Sequence, residues 1–586
     1  MKKNKIFSLA MASIMLGSTV ATMASCGKKF GDDEQSFEVY ALKTGHGVEW
    51  AEKALKAFSE KDEIKEKYPD LQYKLTTNSE ADFGSTQVMS GGTTIDLVLA
   101  HGGYSPANML KEYKKGQLYL ESLEEVYNSK IPTYNGGYEK NAAGEEWTYA
   151  TKMQAADITL YDSFGIEDEN GDIVHYTTST ANGKYGIVYN KTKMNEYGYK
   201  DDATGETILP RTTNELIALA DSIKSKNVGK KDAEKYYAFI SSGETSYWAQ
   251  GISKTFWAQY SGYDEYNNYF QGLWMNANGE YEVNVNVVDD QGKRESLRVV
   301  DRIMNYRNGY IHPDSAALGF TRAQALLLDG TALMQANGDW VAEELEYLRD
   351  DDTAEEAVNN EIRFMEDPLI SALGTTLESI ENDEEYSAVI GAIRAGETAL
   401  QGSYKVPDYS GATATWKMVD YDITQSDYDR IAEATLVYSA GTTAGGIMIP
   451  SYATAKAVAK DFLVYLASDE FLKMYIEVTG GAGVPFYYDV QTKAPEMYDS
   501  FNPIQKDRIK MVDGKKSLPP ILSANYKLVY LGGYANSTVH DMETYFYTKN
   551  DNQYKSADQI CDEIVNDYTK NNNANWKYML EQAKMG

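Results

Sequence analysis

Two cysteines in 586 residues, Cys26 and Cys561, exclude a disulfide framework, so the fold has to be held by packing. Histidine is equally scarce. Five are scattered without metal-ligand spacing, and no His-Glu-x-x-His occurs. The Gly-x-x-x-x-Gly-Lys phosphate loop is missing as well. Neither a metal site nor a cofactor is expected. Basic residues are few: 56 Lys and Arg stand against 87 Asp and Glu, a formal net charge of −31. Such a surface repels phosphate backbones, which argues against nucleic acid, and it disfavours broad contact with anionic lipid. Beyond the N-terminus no apolar run is long enough to span a bilayer.

What is present begins with the first 26 residues. Lys2, Lys3 and Lys5 precede an apolar stretch over 6–20, and Met23-Ala24-Ser25-Cys26 follows. Charged, apolar and small-residue zones in that order read as a secretory signal peptide, with a core too short for a spanning helix. The cysteine behind the small residues resembles the lipobox of bacterial lipoproteins. That resemblance implies removal of 1–25 and a diacylglycerol on Cys26, on the outer face of the cytoplasmic membrane. Residues 26–36 are small, polar and charged, and read as a tether with an end-to-end distance of about 20 Å.

Tyrosine is abundant, 47 residues, with eight tryptophans. Several fall in short clusters: Tyr236-Tyr237, Tyr247-Trp248 and Phe256-Trp257. An aromatic face with a polar rim suits sugar rings, although core filling accounts for most such rings.

Short apolar segments alternate with amphipathic ones. Strands are expected at 36–42, 71–76, 95–100, 184–189, 237–240 and 331–336, and helices at 49–58, 82–90, 213–224, 297–306, 321–328 and 453–467. A hairpin is expected within 276–293. The alternation predicts an α/β fold with a parallel, doubly wound sheet, and ligands bind beyond the carboxyl ends of such strands. That rule singles out the loops Lys43-Thr44-Gly45-His46 and His101-Gly102-Gly103-Tyr104.

Five stretches in order carry a resemblance: the strand, loop and helix over 36–58; Ile95-Asp96-Leu97-Val98-Leu99-Ala100-His101; Gly186-Ile187-Val188-Tyr189-Asn190-Lys191; the strand from Gly330 ending in Asn337-Gly338-Asp339-Trp340; and Gly445-Gly446-Ile447-Met448-Ile449-Pro450 with the helix after it. Together they resemble the extracellular solute-binding proteins of carbohydrate ABC importers, the branch that includes maltodextrin-binding proteins. The resemblance implies a type II periplasmic-binding-protein-like fold: two α/β lobes, each discontinuous in sequence, with a hinge and an interlobe cleft. It places about 36–152 and 361–475 in the first lobe and 153–360 and 476–586 in the second. Blocks at about 135–182 and 369–435 are extra in length. It further implies a carbohydrate ligand, permease subunits as partners, and a monomer. The ligand contacts it implies are Lys43, Thr44, His46, His101, Tyr104, Tyr247, Trp248 and Trp340, with Asp96 structural.

Two other readings stand beside it. A polyamine, peptide or metal ligand suits the same plan. A lipid-anchored hydrolase is weaker: Gly103-Tyr104-Ser105-Pro106-Ala107 looks like a nucleophile elbow, but Pro106 lacks the N–H that an oxyanion hole needs. Carboxylate pairs for glycoside hydrolysis stay open, since their separation is a three-dimensional fact.

Overall fold

The computed structural model describes residues 33–43, 46–78, 94–99, 112, 113, 116, 118–157, 161, 164–167, 172–244, 247–349, 360–439, 446–518, 545, 546, 548, 552–570 and 573–585. Cys26, Thr44, His101, Tyr104 and the helix expected at 82–90 lie outside these residues.

Among the described residues, two four-stranded sheets organise the fold. Their strands are β1 (Ser36–Leu42), β2 (Gln72–Asn78), β3 (Leu97–Leu99), β4 (Tyr185–Asn190), β5 (Tyr237–Ile240), β6 (Ala332–Gly338), β7 (Ile362–Met365) and β8 (Ile447–Met448). The first sheet has the order β8-β3-β1-β2, the second β7-β4-β6-β5. β1 is buried along its whole length. Phe37, Val39 and Ala41 face one core, while Tyr40 and Leu42 face another with Val98 and Met448. A strand covered on both faces needs apolar residues throughout, so it reads as a continuous run rather than an alternation.

The sheets are mixed, not wholly parallel. β1 pairs in parallel with β2 and β3, and β6 with β5. β8 runs antiparallel to β3, and β4 antiparallel to β6. The exceptions have one cause. Both strands receive the chain as it arrives from the other lobe. Such a chain enters at the cleft edge, where the parallel strands end, and must run against them.

Helices cover the sheets: α1 (Glu49–Ser59), α2 (Thr213–Ser225), α3 (Val341–Arg349), α4 (Lys456–Tyr465), α5 (Asp469–Val478) and α6 (Pro503–Val512). α1 buries Trp50, Ala51, Ala54, Leu55 and Phe58 at helical spacing. α2 starts on a capping box between Thr212 and Glu215. Asp96 ties the first lobe together: its carboxylate accepts from the backbone N–H of Glu38 (2.9 Å), Thr454 (2.8 Å) and Ala455 (2.9 Å). Its role is therefore structural, as expected.

The lobe boundaries need correction. β7 pairs with β4, and Leu369, Tyr386, Val406, Tyr421 and Ile431 share one core with Ile187 and Leu216. The run 361–439 thus packs with the second sheet, not the first. Conversely, Met153 and Phe164 lie in the first core and Ile166 packs with Tyr40. Ala482 and Phe486 also belong to the first core, whereas Ile504 and Met511 pack under the second sheet. Within the long 369–435 block, a hairpin of strands Gln401–Asp408 and Thr415–Asp422 rests on the Asp383–Arg394 helix. Its Trp416 and Tyr404 flank the Arg211 guanidinium. The hairpin expected within 276–293 pairs Leu273–Met275 with Tyr281–Val283, and a helix already begins at Gln291.

Among the described residues, three segments cross between the lobes. Thr178 and Ile447 exchange backbone bonds of 3.0 and 3.1 Å. Asn182 donates to the Gly483 carbonyl at 3.0 Å, and its side-chain oxygen accepts from the Tyr438 hydroxyl at 3.2 Å. A Cβ on Gly483 would lie 2.0 Å from the Asn182 carbonyl oxygen, so this approach requires glycine.

Candidate functional site

Tyr185, Tyr247 and Trp340 meet at the carboxyl end of β6. Tyr185 opens β4 and stands opposite Gly338, the last residue of β6. Trp340 follows two residues later. Its ring lies edge-on to Tyr185 (5.7 Å, 78°) and to Tyr247 (5.6 Å, 69°), and the two tyrosines are 5.3 Å apart. Each of the three keeps part of its surface exposed. Two glycines make room for them. A Cβ on Gly338 would come within 2.2 Å of the Trp340 ring, and one on Gly251 within 2.4 Å of Tyr185. Burial, then the Asp339 charge, push the Tyr185 hydroxyl up to about 12, so it remains a neutral hydrogen-bond donor across ordinary pH.

A polar cluster lies beside this aromatic group. Asp339 separates Gly338 from Trp340, and Glu343 is in the first turn of α3. From the first lobe, His46 places Nε2 3.9 Å from Asp339 and Nδ1 3.9 Å from Glu343. Arg508 of α6 joins them. It is ion-paired with Glu343, lies 3.5 Å from Asp339, and donates to the carbonyls of Thr479 (2.8 Å) and Gly480 (3.2 Å). Its Nη2 is 3.4 Å from His46 Nδ1. The Asp339 N–H donates to the Lys184 carbonyl at 3.0 Å, which fastens the cluster to a crossing segment. Burial raises both carboxyl groups against the pull of Arg508, Glu343 to about 8.

The expected contacts therefore divide. Trp340 and Tyr247 come together, joined by Tyr185, which sequence reasoning missed. Trp248 is corrected: it is fully buried, packs edge-on against Phe239 and donates its indole N–H to the Ile240 carbonyl at 3.3 Å. Neighbouring residues on a helical turn point about 100° apart, so Tyr247 and Trp248 do not share one face. His46 is likewise buried, in the ion cluster rather than on an open wall. Lys43 is exposed, and its backbone N–H donates to Asn78 at 2.7 Å. Arg508 and Glu343 were not anticipated. Two stretches pointed toward this corner, the Lys43-to-His46 loop and Asn337-Gly338-Asp339-Trp340.

A separate cavity of about 180 Å³ lies between Glu265, Tyr269, Trp274, Val287 and Asp290. Its polar groups are committed. Glu265 accepts from Tyr281, Asp290 caps the Lys293 N–H at 2.7 Å, and Lys293 donates to the Tyr269 hydroxyl at 2.7 Å. Among the described residues no group of three His, Cys, Asp or Glu is arranged to hold a metal ion.

No protein-family model and no curated protein matches the chain. Solved structures do. A chitin oligosaccharide binding protein aligns with 93% of this chain and 99% of its own, at a TM-score of 0.51 and 13% identity. A probable secreted solute-binding lipoprotein from Streptomyces coelicolor aligns over 92% and 99%, at 0.51 and 12%. A structure concerned with xylan utilization by the thermophilic bacterium Caldanaerobius polysaccharolyticus aligns over 90% and 98%, at 0.51 and 14%. At such identities the likeness concerns the fold. With two mixed α/β sheets, three crossing segments and site groups at the strand ends between them, the chain has the two-lobe fold of the solute-binding proteins.

Proposed function

We propose that this protein binds a sugar, an oligosaccharide, between its lobes and delivers it to the permease of an ABC importer. The observation that carries the reading is the group Tyr185, Tyr247 and Trp340, each keeping part of its surface exposed at the carboxyl end of β6 and next to the contact between lobes. Aromatic faces accept the C–H faces of pyranose rings, and hydroxyls are met by polar groups around them. Lys43, Thr44, His101 and Tyr104 are proposed as those polar partners, from the first lobe. Two of the solved structures of the same fold bear names that point to solutes of this kind: chitin oligosaccharide, and xylan utilization. Two of the solved structures bear the names of binding proteins, which supports a reading in which the ligand is returned unchanged; no release of reducing sugar is expected. Lipid attachment through Cys26, on the outer face of the membrane, keeps the body near its transporter.

The test is a melting-point screen of the mature chain against chito-, xylo- and malto-oligosaccharides, followed by calorimetric titration. A ligand at a hundredfold excess over its Kd stabilises by about 2.7 kcal/mol. One glycan class is expected to raise the melting temperature with saturable binding. A panel without any shift, alongside a shift with a polyamine or peptide, overturns the sugar reading.

A further inference from the structure

The contact among His46, Asp339, Glu343 and Arg508 joins the lobes through charge in a nearly dry space. The side chains of Arg508, His46, Asp339 and Glu343 are 0, 1, 4 and 17% exposed. His46 belongs to the loop after β1 of the first lobe. Asp339, Glu343 and Arg508 belong to the second, and the Thr479 and Gly480 carbonyls that anchor Arg508 lie at the third crossing. Among the described residues, Tyr475 of α5 also faces Asp339, Glu343 and Arg508, and Tyr185 of β4 faces Asp339; burial holds both hydroxyls neutral. Two carboxylates thus face one guanidinium. One negative charge is left over in a place where water cannot offset it. A proton on a carboxyl or on His46 restores the balance. When the lobes part, the same groups meet water and the excess proton is no longer required.

We propose that the interlobe contact is a proton-linked latch: the assembled His46–Asp339–Glu343–Arg508 cluster holds one proton more than the separated lobes do. Lowering the pH therefore favours the assembled arrangement. The direction follows from the carboxyl groups. Burial lifts Glu343 from its ordinary 4.5 to about 8, and Asp339 moves the same way. A carboxyl raised in the assembled state supports that state fully below about 4.5. The support declines as pH rises to about 8 and is level above it. The latch rests on the cluster alone and does not depend on which ligand the cleft takes.

Small-angle scattering of the ligand-free mature chain from pH 5.5 to 9 tests it. The ratio of separated to assembled molecules is expected to rise up to about tenfold per pH unit below 8, as one-proton linkage requires, with a growing radius of gyration. Glu343→Gln removes the excess charge while keeping the side chain's shape, and is expected to stay compact and flat across the range. Asp339→Asn makes the same prediction and serves if the first variant does not fold, judged by circular dichroism. A flat wild-type profile overturns the proposal. So does a wild-type slope that persists in either folded variant.

Discussion

Trp340 carries two loads that one substitution separates. Its indole braces Tyr185 and Tyr247, and its exposed part is the proposed sugar platform. Trp340→Ala is expected to weaken glycan binding by about 1–3 kcal/mol, by analogy with aromatic stacking on other rings. That is roughly ten- to a hundredfold in Kd. Being only part-buried, the ring should contribute less to stability than the about 3–5 kcal/mol of a core tryptophan. Calorimetric titration and thermal melting of the ligand-free variant distinguish the loads. Unchanged affinity with a much lowered melt would show a packing residue only. The place of Trp340 just beyond a strand end was legible because a strand, a glycine and an indole follow one another in sequence. Trp248 was misread because it neighbours Tyr247, and chain proximity says nothing about which way a helical turn points each ring. The role of His46 was beyond reach: its partner Arg508 is 462 positions away, and no local pattern links them.

At the scale of elements, strand and helix positions were open to the sequence where burial is one-sided or complete. β1 and β5 lie where the apolar runs place them, and α1 and α2 follow their apolar faces to within a residue or two. Which sheet a strand joins was not legible. β7 looks like any other short segment, and its pairing with β4 together with the shared core assigns 361–439 to the second lobe. Polarity was hidden for the same reason, since the antiparallel sense of β4 and β8 is imposed by where the chain enters each sheet. The crossing segments offer the sharpest test of that geometry. Gly483→Ala places a methyl group 2.0 Å from the Asn182 carbonyl oxygen, and both atoms are held by backbone. The segments have to move apart, which weakens the 3.0 Å bond from Asn182 to Gly483. A loss of about 1–3 kcal/mol in unfolding free energy is expected. An unfolding curve superimposable on the wild type would mean that the crossings are not packed this closely.

For the molecule as a whole, the proposed attachment to a membrane has to be squared with so acidic a body. Among the described residues no helix is long and apolar enough to cross one. A formal charge of −31 adds repulsion from anionic headgroups, not attraction. The proposed attachment rests on the N-terminal segment, where Cys26 has the chemistry for it. Each buried methylene of an acyl chain contributes about 0.8 kcal/mol, and stable anchoring takes two chains, which a diacylglycerol thioether provides. A flexible segment of the length of 26–36 has an end-to-end distance of about 20 Å, which in this proposal leaves the lobes free to move while confining them near a permease. Replacing the sulfur removes the acceptor for the lipid and leaves the body's packing untouched, because no disulfide depends on Cys26. Cells expressing Cys26→Ser should therefore yield the protein in the soluble fraction, whereas the wild type partitions with membranes until detergent is added. The ligand-free melting temperature of the body should be the same in both. Retention of Cys26→Ser on the membrane, with the wild type's detergent behaviour, would place the attachment elsewhere in the chain.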